Sequence, residues 1–483
     1  MARVAVLAAV LVGVLPLLVR RVGDPDFFWH LADAAWIGGH HALPSQDLFT
    51  FTVAGTGLTD HEWLGELIMG GANHAGGQLA VSLVFGAVTV AGFLLLLQRI
   101  RLRPHTTVIT AAALGLGALA GNQVWGPRLQ MITFAFVCLE LLLVDAFLER
   151  GGRLLWLMPA VMAVWANLHG GFVIGPVLLA VAASAELLTG LATSDGAART
   201  RARTLALVTG ASVVGSVITP YGPGGFTYAV RTQFSSVQEG LIAEWRSPDF
   251  HSITERGLEA GILLLLLGLA LSRGARLWDL ACACIAVVLA LQSVRHVALF
   301  VALVTPLLAW QWASPFDSTV VPWLRRRLPA PPRGWPVAVA AVAAVVSIAA
   351  LAVLGRLLNQ QAAATRANYP AAAADYLAAN PTTGSRIFDL YGWGGYLANR
   401  FYPAENRRLY VYEEADHMGD AVLTDYLDIV DLRGDWRSRL DGAGVDMVVF
   451  PPDTPLTSAL ADLSGWRLAY SDAVADVFVR SSA

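Results

Sequence analysis

Long apolar runs alternate with short polar segments along most of the chain. Eleven runs approach the length that a helix needs to cross about 30 Å of hydrocarbon, although several are short for a full span. They lie near residues 3–19, 79–98, 106–123, 129–148, 154–168, 172–190, 204–218, 258–272, 278–292, 297–312 and 336–354. This pattern predicts a polytopic α-helical membrane protein with about eleven transmembrane helices.

Composition fits this prediction and argues against other classes of protein. Hydrophobic residues make up 56% of the 483 positions, and the mean hydropathy of +0.56 is high for a soluble protein. A net charge of −3 argues against a nucleic acid as partner. The three cysteines, Cys138, Cys282 and Cys284, lie within apolar runs, which indicates core packing and argues against a disulfide framework.

Arginine is concentrated in alternate loops, as the positive-inside rule requires of cytoplasmic loops. These loops carry Arg99, Arg101, Arg103, Arg150, Arg153, Arg199, Arg201, Arg203, Arg273, Arg276, Arg325, Arg326, Arg327 and Arg333. No small-x-small cleavage site follows the first run, so we expect it to be retained as the first span. An odd number of spans then places the N-terminus in the cytoplasm and the C-terminus outside.

The character of the sequence changes after the last apolar run. Residues 1–355 are predicted to form the membrane domain, with a long outer loop over residues 23–78. Residues 356–483 are more polar, and their helix-like and strand-like segments alternate. We expect strands in SRIFDL, RRLYVYEE, VDMVVFP, WRLAYSD and VADVFVRS, with the last two paired. The C-terminal part is therefore predicted to be a small extracytoplasmic α/β domain.

The outer loop is unusually rich in carboxylates, histidines and aromatic residues. Asp24 and Asp26 directly follow the first span, where a carboxylate can act as general base toward an acceptor or bind a metal. The run Phe27–Trp29 suggests aromatic side chains at the headgroup level, which would hold the acids near a lipid substrate. The alternative is a pair of solvated loop acids.

A second acidic group, formed by Asp60, Glu62 and Glu66, follows within the same loop. Glu62 and Glu66 share a face if their segment is helical, and they could combine with His30 and His61 in an acid–base site or a divalent-metal site. The spacing matches no firm metal signature. The alternative is an amphipathic interfacial helix whose polar side is wet.

Two arginines in other outer segments could bind a phosphate. Arg128 ends the loop after the third span, and Arg295 opens the tenth span together with His296. An arginine near the hydrocarbon is costly and usually finds an anion, and its planar guanidinium suits a lipid phosphate or pyrophosphate. The alternatives are a side chain that reaches the interface, or an ion pair with a carboxylate such as Glu244.

The predicted topology places most of the unusual polar residues on the outer side, where they could line one chamber. The candidates for this lining are His30, His61, Glu66, Asn167, His169, Tyr221, Glu244 and His296. A lone histidine such as His169 more often bridges helices than reacts.

This layout resembles the GT-C superfamily of membrane glycosyltransferases, nearest to an uncharacterised bacterial branch. The resemblance is carried by DPDFFWHLADAAW and HEWLGE in the first outer loop, by Trp165, Asn167 and His169–Gly171, and by WGGYL at Trp393–Leu397. It implies a bacterial cytoplasmic-membrane enzyme of the cell envelope that takes a sugar from a polyprenyl-(pyro)phosphate donor.

The resemblance also implies roles for individual residues. The transfer would be inverting, with Asp26 or Asp24 as base, Glu62 as a further catalytic candidate, and Arg128 and Arg295 holding the donor phosphate. Some relatives use a divalent metal such as Mg²⁺ or Mn²⁺ and others use cationic side chains, so both routes remain open here. The sequence contains no lysine, which leaves arginine as the cation for a metal-free route.

Two other classes of function compete with a transferase. A transporter or flippase of a lipid-linked or polar solute would have ionisable groups in mid-span and discontinuous helices. A non-catalytic membrane assembly protein would use its outer domain for partner contact and would lack a cavity between the acidic loop and the arginines.

Overall fold

The computed structural model describes residues 2–227, 235–271, 275–327, 334–403 and 406–481. The helices up to residue 241 are α1 Ala2–Gly13, α2 Leu15–Leu18, α3 Phe27–His40, α4 Trp63–Ile100, α5 Thr107–Ala120, α6 Gln130–Arg150, α7 Met158–Trp165, α8 Ile174–Ala192, α9 Gly196–Ser216 and α10 Ser236–Leu241. The later helices are α11 Arg256–Leu271, α12 Leu277–Gln292, α13 Val297–Pro315, α14 Val321–Arg327, α15 Trp335–Leu358, α16 Gln361–Asn368, α17 Ala371–Ala379, α18 Gly394–Phe401, α19 Ala415–Val430, α20 Trp436–Gly442 and α21 Pro455–Ala461. The strands are β1 Arg386–Asp389, β2 Arg408–Leu409, β3 Met447–Phe450, β4 Trp466–Ser471 and β5 Asp476–Arg480.

Among the described residues, each of the eleven predicted apolar runs lies mainly in helix. Within the described part of the chain, five helical segments are long and apolar enough to cross a membrane: Trp63–Ile100, Gln130–Arg150, Gly170–Ala192, Val294–Arg327 and Trp335–Leu358. Shorter apolar helices cover Val4–Leu18, Thr107–Ala120, Leu154–Trp165 and Leu277–Gln292. The chain is therefore a helical membrane protein, and the count of eleven spans stays a prediction.

The chain divides into two compact units. Unit 1 contains residues 1–21, 82–223 and 242–359, and unit 2 contains residues 22–81, 224–241 and 360–483. The acidic outer loop thus shares a unit with the C-terminal residues, a grouping that the sequence did not indicate. Helix α4 belongs to both units and is kinked at Gly76 and Gly77, where its backbone is not helical.

Unit 1 is a bundle of apolar helices in which α8 packs on α9, α1 packs on α15, and α12 packs on α13. Short polar side chains cap several of them: the Thr106 side chain accepts a hydrogen bond from the backbone N–H of Ile109 at the start of α5, and Asp195 caps α9 in the same way. Of the arginines that set the predicted topology, Arg273 and Arg333 lie outside the described residues.

Charged side chains are buried at one end of unit 1. The Arg99 Nε atom donates a hydrogen bond of 2.6 Å to Asp145, and the Trp278 indole donates one of 2.9 Å to the same carboxylate. Arg103 pairs with Asp279 at 2.7 Å. Because a buried guanidinium is stable only when paired, these contacts hold α4, α6 and α12 together at this end.

A five-stranded mixed sheet forms the centre of the C-terminal part of unit 2. Its strand order is β2-β1-β3-β5-β4, with β1 parallel to β2 and β3, and with β5 antiparallel to β3 and β4. Strand β3 is buried at all four positions, as its continuous apolar sequence requires of a central strand. The predicted strands and the pairing of the last two are confirmed.

The outer loop adds to the edge of this sheet. Thr50 forms a parallel bridge to Leu409 of β2. The Phe51 N–H donates to the Leu409 carbonyl at 3.1 Å, and the Leu409 N–H donates to the Phe49 carbonyl at 3.0 Å. These bonds satisfy backbone groups that would otherwise be exposed on β2 and fix the middle of the loop.

Candidate functional site

Helix α3 carries the first part of the acidic loop and is held in unit 2 by aromatic contacts. The side chains of Phe27, Phe28 and Trp29 are each less than 9% exposed. Phe28 makes edge-on contacts with Tyr369 and Tyr396, with ring centroids 4.8 Å and 4.9 Å apart.

The aromatic run is therefore packed against protein, and its position at the headgroup level stays a prediction. The local pattern of apolar and polar residues could not have revealed this burial, because the partner rings come from residues more than 300 positions later in the chain. The three side chains are packed within unit 2 and offer almost no surface to lipid.

Asp24 and Asp26 differ in their surroundings. The Asp24 carboxylate is buried and accepts a hydrogen bond from the Asp26 backbone N–H at 3.3 Å, and its carbonyl accepts one from the Tyr369 hydroxyl. Asp26 occupies the N-cap position of α3 without using its side chain as a cap, and it is half-buried. The Asp26 carboxylate is thus the more accessible of the two.

The predicted histidine–carboxylate group is formed. The Nδ1 atom of His30 lies 2.9 Å from Oε1 of Glu66, and its Nε2 lies 3.9 Å from Glu62. The Nε2 atom of His61 lies 3.2 Å from Oε1 of Glu62. The four residues meet because α4 begins at Trp63 and presents Glu66 in its first turn toward α3.

Two glycines allow close packing around this group. A Cβ on Gly70 of α4 would lie 2.6 Å from the Cβ of Ala34. The helices α3 and α4 therefore approach so closely that only glycine fits at position 70 without a shift of the backbone. A Cβ on Gly395, within the WGGYL element, would lie 2.9 Å from the backbone nitrogen of Trp29. The WGGYL element therefore serves to seat α18 against α3.

Three further carboxylates join the group. Asp60 is expected there from the sequence, whereas Asp33 and Glu414 were not assigned to a site. Asp33 and Asp60 come from the loop, and Glu414 follows β2. Together with Trp29, Leu58, His61, Glu62 and Glu66 they line a crevice that is too narrow to hold a water molecule. We call the residues Asp33, Asp60, Glu62, Glu66, Glu414, His30 and His61 the acid–histidine cluster. Asp33 is one turn from His30 on α3, a spacing that could have indicated its membership.

Burial and mutual repulsion change the protonation of the acid–histidine cluster. Burial, followed by the charges of Asp60, Glu414 and Asp47, raises the pKa of Asp33 well above its ordinary value. Burial likewise raises the pKa of Asp60 to about 6 and that of Glu414 to about 7.

The two histidines shift in opposite directions. Burial lowers the pKa of His30 to about 4 against the opposing charge of Glu62. Burial also acts to lower the pKa of His61, but the charge and hydrogen bond of Glu62 outweigh it and the pKa rises. Near neutral pH the cluster thus combines a neutral His30 with acids that can hold or release a proton, as an acid–base site requires.

A second buried acid lies close to Asp26. The Glu413 carboxylate accepts a hydrogen bond of 2.7 Å from the Gly395 N–H, and the Tyr391 hydroxyl donates to the Glu413 carbonyl at 2.9 Å. Burial first, and then the charge of Asp26, raises the pKa of Glu413 well above its ordinary value. Glu413 and Asp26 thus form a pair of neighbouring acids within unit 2.

No group of three or more His, Cys, Asp or Glu side chains within the described ranges is arranged so that it could hold a metal ion. Within the cluster, Glu66 pairs with His30 and Glu62 pairs with His61. The residues do not fit a bound cation as they stand, so we derive no step through a metal, and the Mg²⁺ or Mn²⁺ expectation stays a prediction.

The candidate phosphate-binding arginines lie in unit 1. Arg128 Nη1 lies 2.5 Å from Oε1 of Glu244, the pairing that the sequence left open as an alternative. The Arg295 guanidinium lies over the Trp245 ring, 5.0 Å from its centroid. The Ser293 hydroxyl donates to the Glu244 carbonyl at 2.7 Å and fixes the turn that carries Glu244 and Trp245.

The remaining candidates in unit 1 have structural partners. His169 is buried, and its Nδ1 accepts a hydrogen bond from the Gly171 N–H at 2.8 Å and lies 2.9 Å from the Thr133 hydroxyl, so it bridges helices as expected. The Asn167 amide donates to the carbonyls of Ala163 and Ile218. Tyr221 and His296 are half-buried.

The acids and the arginines therefore belong to different compact units, Asp24 to Glu66 to unit 2 and Arg128 to His296 to unit 1. Each set is internally close: His30, His61, Glu62 and Glu66 in unit 2, and Arg128 with Glu244 in unit 1. That both sets face one chamber stays a prediction.

The search for related sequences found no match: no family model and no curated protein matches this chain. Solved structures do resemble it. ArnT from Cupriavidus metallidurans in the apo state aligns over 98% of this chain and 97% of its own, with a TM-score of 0.55 and 17% identity.

Two further structures agree with this likeness. The archaeal oligosaccharyltransferase AglB from Archaeoglobus fulgidus, in complex with an inhibitory peptide and a dolichol-phosphate, aligns over 99% of this chain and 74% of its own, with a TM-score of 0.58 and 13% identity. The mycobacterial arabinofuranosyltransferase AftD matches with a TM-score of 0.50 and 15% identity, and this chain covers 40% of its length. All three are GT-C membrane glycosyltransferases, and at these identities the likeness concerns the fold. The expected architecture is confirmed: the chain has a GT-C-like membrane fold with a small C-terminal sheet.

Proposed function

We propose that the chain is a GT-C-type glycosyltransferase that moves a sugar from a polyprenyl-(pyro)phosphate donor to an acceptor at the outer face of the cytoplasmic membrane. The main support is the GT-C-like fold over nearly the whole chain, since ArnT is matched over almost its full length. The dolichol-phosphate in the AglB complex supports a phosphate-bearing lipid as the donor carrier.

The proposed transfer is a single displacement with inversion. An acceptor hydroxyl oxygen attacks the anomeric carbon, the bond from that carbon to the phosphate oxygen breaks, and the polyprenyl phosphate leaves with the electron pair. The acceptor proton passes to a carboxylate. We assign this role to Asp26 before Asp24, because the Asp26 side chain is the more accessible of the two.

Arg128 and Arg295 are proposed to hold the leaving phosphate. Fixed guanidinium groups suit this task because they stabilise the charge that develops on the leaving oxygen. The Glu244 carboxylate, which pairs with Arg128 at 2.5 Å, has to be exchanged for the phosphate when the donor binds. Glu62, which lies within 3.9 Å of His30 and 3.2 Å of His61, is proposed to support the site from within the acid–histidine cluster.

The test is transfer by the purified full-length protein in lipid nanodiscs, with a panel of polyprenyl-phosphate sugars and with detection of the released lipid phosphate. The Asp26→Asn and Asp24→Asn variants are compared with Asp462→Asn, a change of an exposed acid at the end of α21. Loss of the base is expected to lower kcat by about 10²–10⁴-fold, while Asp462→Asn keeps full activity. If both Asn variants in the loop remain fully active, the mechanism is wrong.

One observation favours transport as the second candidate. Glu140 of α6 is fully buried within an apolar segment, and neither carboxylate oxygen has a hydrogen-bond partner in the described structure. Ionisable groups of this kind are what a transporter would need. A Glu140→Gln variant that retains sugar transfer but loses movement of a labelled lipid across the bilayer would support transport.

A further inference from the structure

Unit 1 contains a long apolar groove between α1, α2, α5 and α15. Its volume is about 730 Å³, and every residue that lines it is apolar, including Gly13, Leu17, Gly115, Leu119, Val342 and Ala343. The small residues leave the space open: a Cβ on Gly115 would meet nothing within 4 Å.

Two arginines mark one end of the groove. The Arg20 Nε atom donates a hydrogen bond of 2.9 Å to the Leu17 carbonyl, and its Nη2 atom donates one of 2.5 Å to the Asn122 side chain. Asn122 is itself bonded to the Leu119 carbonyl at 3.1 Å. The guanidinium thus lies where the groove-lining residues Leu17 and Leu119 end, and the next residue, Arg21, is exposed.

Helix α15 forms one wall and is unusually bare. Only 6% of its most apolar 18-residue stretch is buried. In the other four long apolar helices, 44% to 78% of the corresponding stretch is buried. Its contacts within unit 1 are mainly with α1 and α2. Material that fills the groove would therefore add substantially to the surface that α15 buries.

We propose that this groove binds one hydrocarbon chain of an anionic bilayer phospholipid, with the phosphate of the headgroup at Arg20 and Arg21. The apolar lining suits a chain, and the two positive charges at one end suit a phosphate. None of the proposed transfer residues lines the groove. For this reason the occupant is a resident lipid and not the sugar donor.

The test uses the full-length protein purified in detergent and supplemented with phosphatidylglycerol, or with phosphatidylcholine of the same chain lengths. Bound lipid is counted by native mass spectrometry, and the melting temperature is recorded with each lipid. The wild type is expected to retain phosphatidylglycerol and to melt at a higher temperature with it than with phosphatidylcholine.

Two kinds of variant separate the parts of the site. Gly115→Leu fills the groove and is expected to abolish retention of the lipid. Its control is Gly210→Leu, the same change at an exposed position of α9 where a Cβ also meets nothing within 4 Å. Arg20→Gln and Arg21→Gln are each expected to weaken binding of phosphatidylglycerol by about fivefold, whereas Arg20→Lys keeps the charge and most of the binding.

Several results would overturn the proposal. Unchanged retention of lipid by a folded Gly115→Leu variant would exclude the groove, and equal binding of both phospholipids would exclude the role of the arginines. Polyprenyl phosphate that displaces phosphatidylglycerol from the wild type would make the occupant the carrier lipid. A dimer that Gly115→Leu disrupts would show that a second copy of the chain covers α15.

Discussion

The Nδ1 atom of His30 lies 2.9 Å from the Oε1 atom of Glu66, although 36 residues separate them. This contact joins α3, which follows the candidate base Asp26, to α4, which follows the candidate Glu62. Both side chains are buried, so the hydrogen bond fixes the two ends of the acidic loop with respect to each other.

Removal of the Glu66 carboxyl group tests the importance of this contact. Glu66→Leu leaves the buried His30 nitrogen without its partner, and we expect a loss of about 1–3 kcal/mol in the free energy of unfolding. Glu66→Gln can still hydrogen-bond and should lose less. Chemical unfolding in detergent, followed by tryptophan fluorescence, measures both, and equal stability of Glu66→Leu and the wild type would contradict the assignment.

Because α3 packs closely on α4, substitution of two neighbouring glycines by alanine is expected to change the stability of the protein in opposite directions. Gly70→Ala would place a Cβ 2.6 Å from that of Ala34, so we expect it to destabilise the protein by about 1–3 kcal/mol. Gly71→Ala lies on the same helix, is exposed and meets nothing within 4 Å, so it should stabilise by up to about 1 kcal/mol. Melting temperatures of the two variants provide the comparison, and a stable Gly70→Ala would show that the helices are farther apart.

Glu414 is expected to make the stability of the protein depend on pH. Its pKa is raised from 4.5 to about 7 on folding, so the folded state binds this proton more tightly than the unfolded state does. The contribution of Glu414 is therefore most favourable below pH 4.5 and is lost as the pH rises toward 7. His30, whose pKa is lowered to about 4, acts in the opposite direction over part of this range.

The contribution of Glu414 can be isolated by difference. Glu414→Gln should remove its share, so the melting temperature of the variant relative to the wild type should rise between pH 5 and pH 7. If the melting temperatures of the two proteins change in parallel with pH, the Glu414 carboxyl group ionises in the folded protein as it does in water. Asp462→Asn, at an exposed acid, supplies the control for a change of surface charge.

Arg128 and Glu244 allow a test of phosphate binding. Under the proposed function, Arg128→Gln should raise the KM for the donor by about tenfold, as the loss of a charge-assisted hydrogen bond predicts. Glu244→Gln removes the competing carboxylate and should lower that KM. Arg150→Gln, at an exposed position at the end of α6, should leave it unchanged. Initial rates measured at a series of donor concentrations give the KM of each variant. If neither Arg128→Gln nor Glu244→Gln changes the KM, Arg128 does not bind the donor.

The sequence by itself determined the elements that depend on local pattern. The positions of the helices followed from the length of the apolar runs, and the strands from apolar segments such as VDMVVFP between polar turns. The pairing of Glu62 and Glu66 with His30 and His61 was also foreseeable, because the loop holds all four residues and the Glu62–Glu66 spacing fits one helical face.

Only the tertiary structure decided which distant segments meet. Phe28 packs on Tyr369 and Tyr396, and Glu414 joins a cluster that begins at His30, because the loop lies against residues that follow the last apolar helix. Periodicity specifies which face of a helix is apolar but not which segment covers that face. The burial of the aromatic run, the raised pKa of Glu414 and the close approach at Gly70 all depend on that choice of partner, and for this reason no local pattern in the sequence could indicate them.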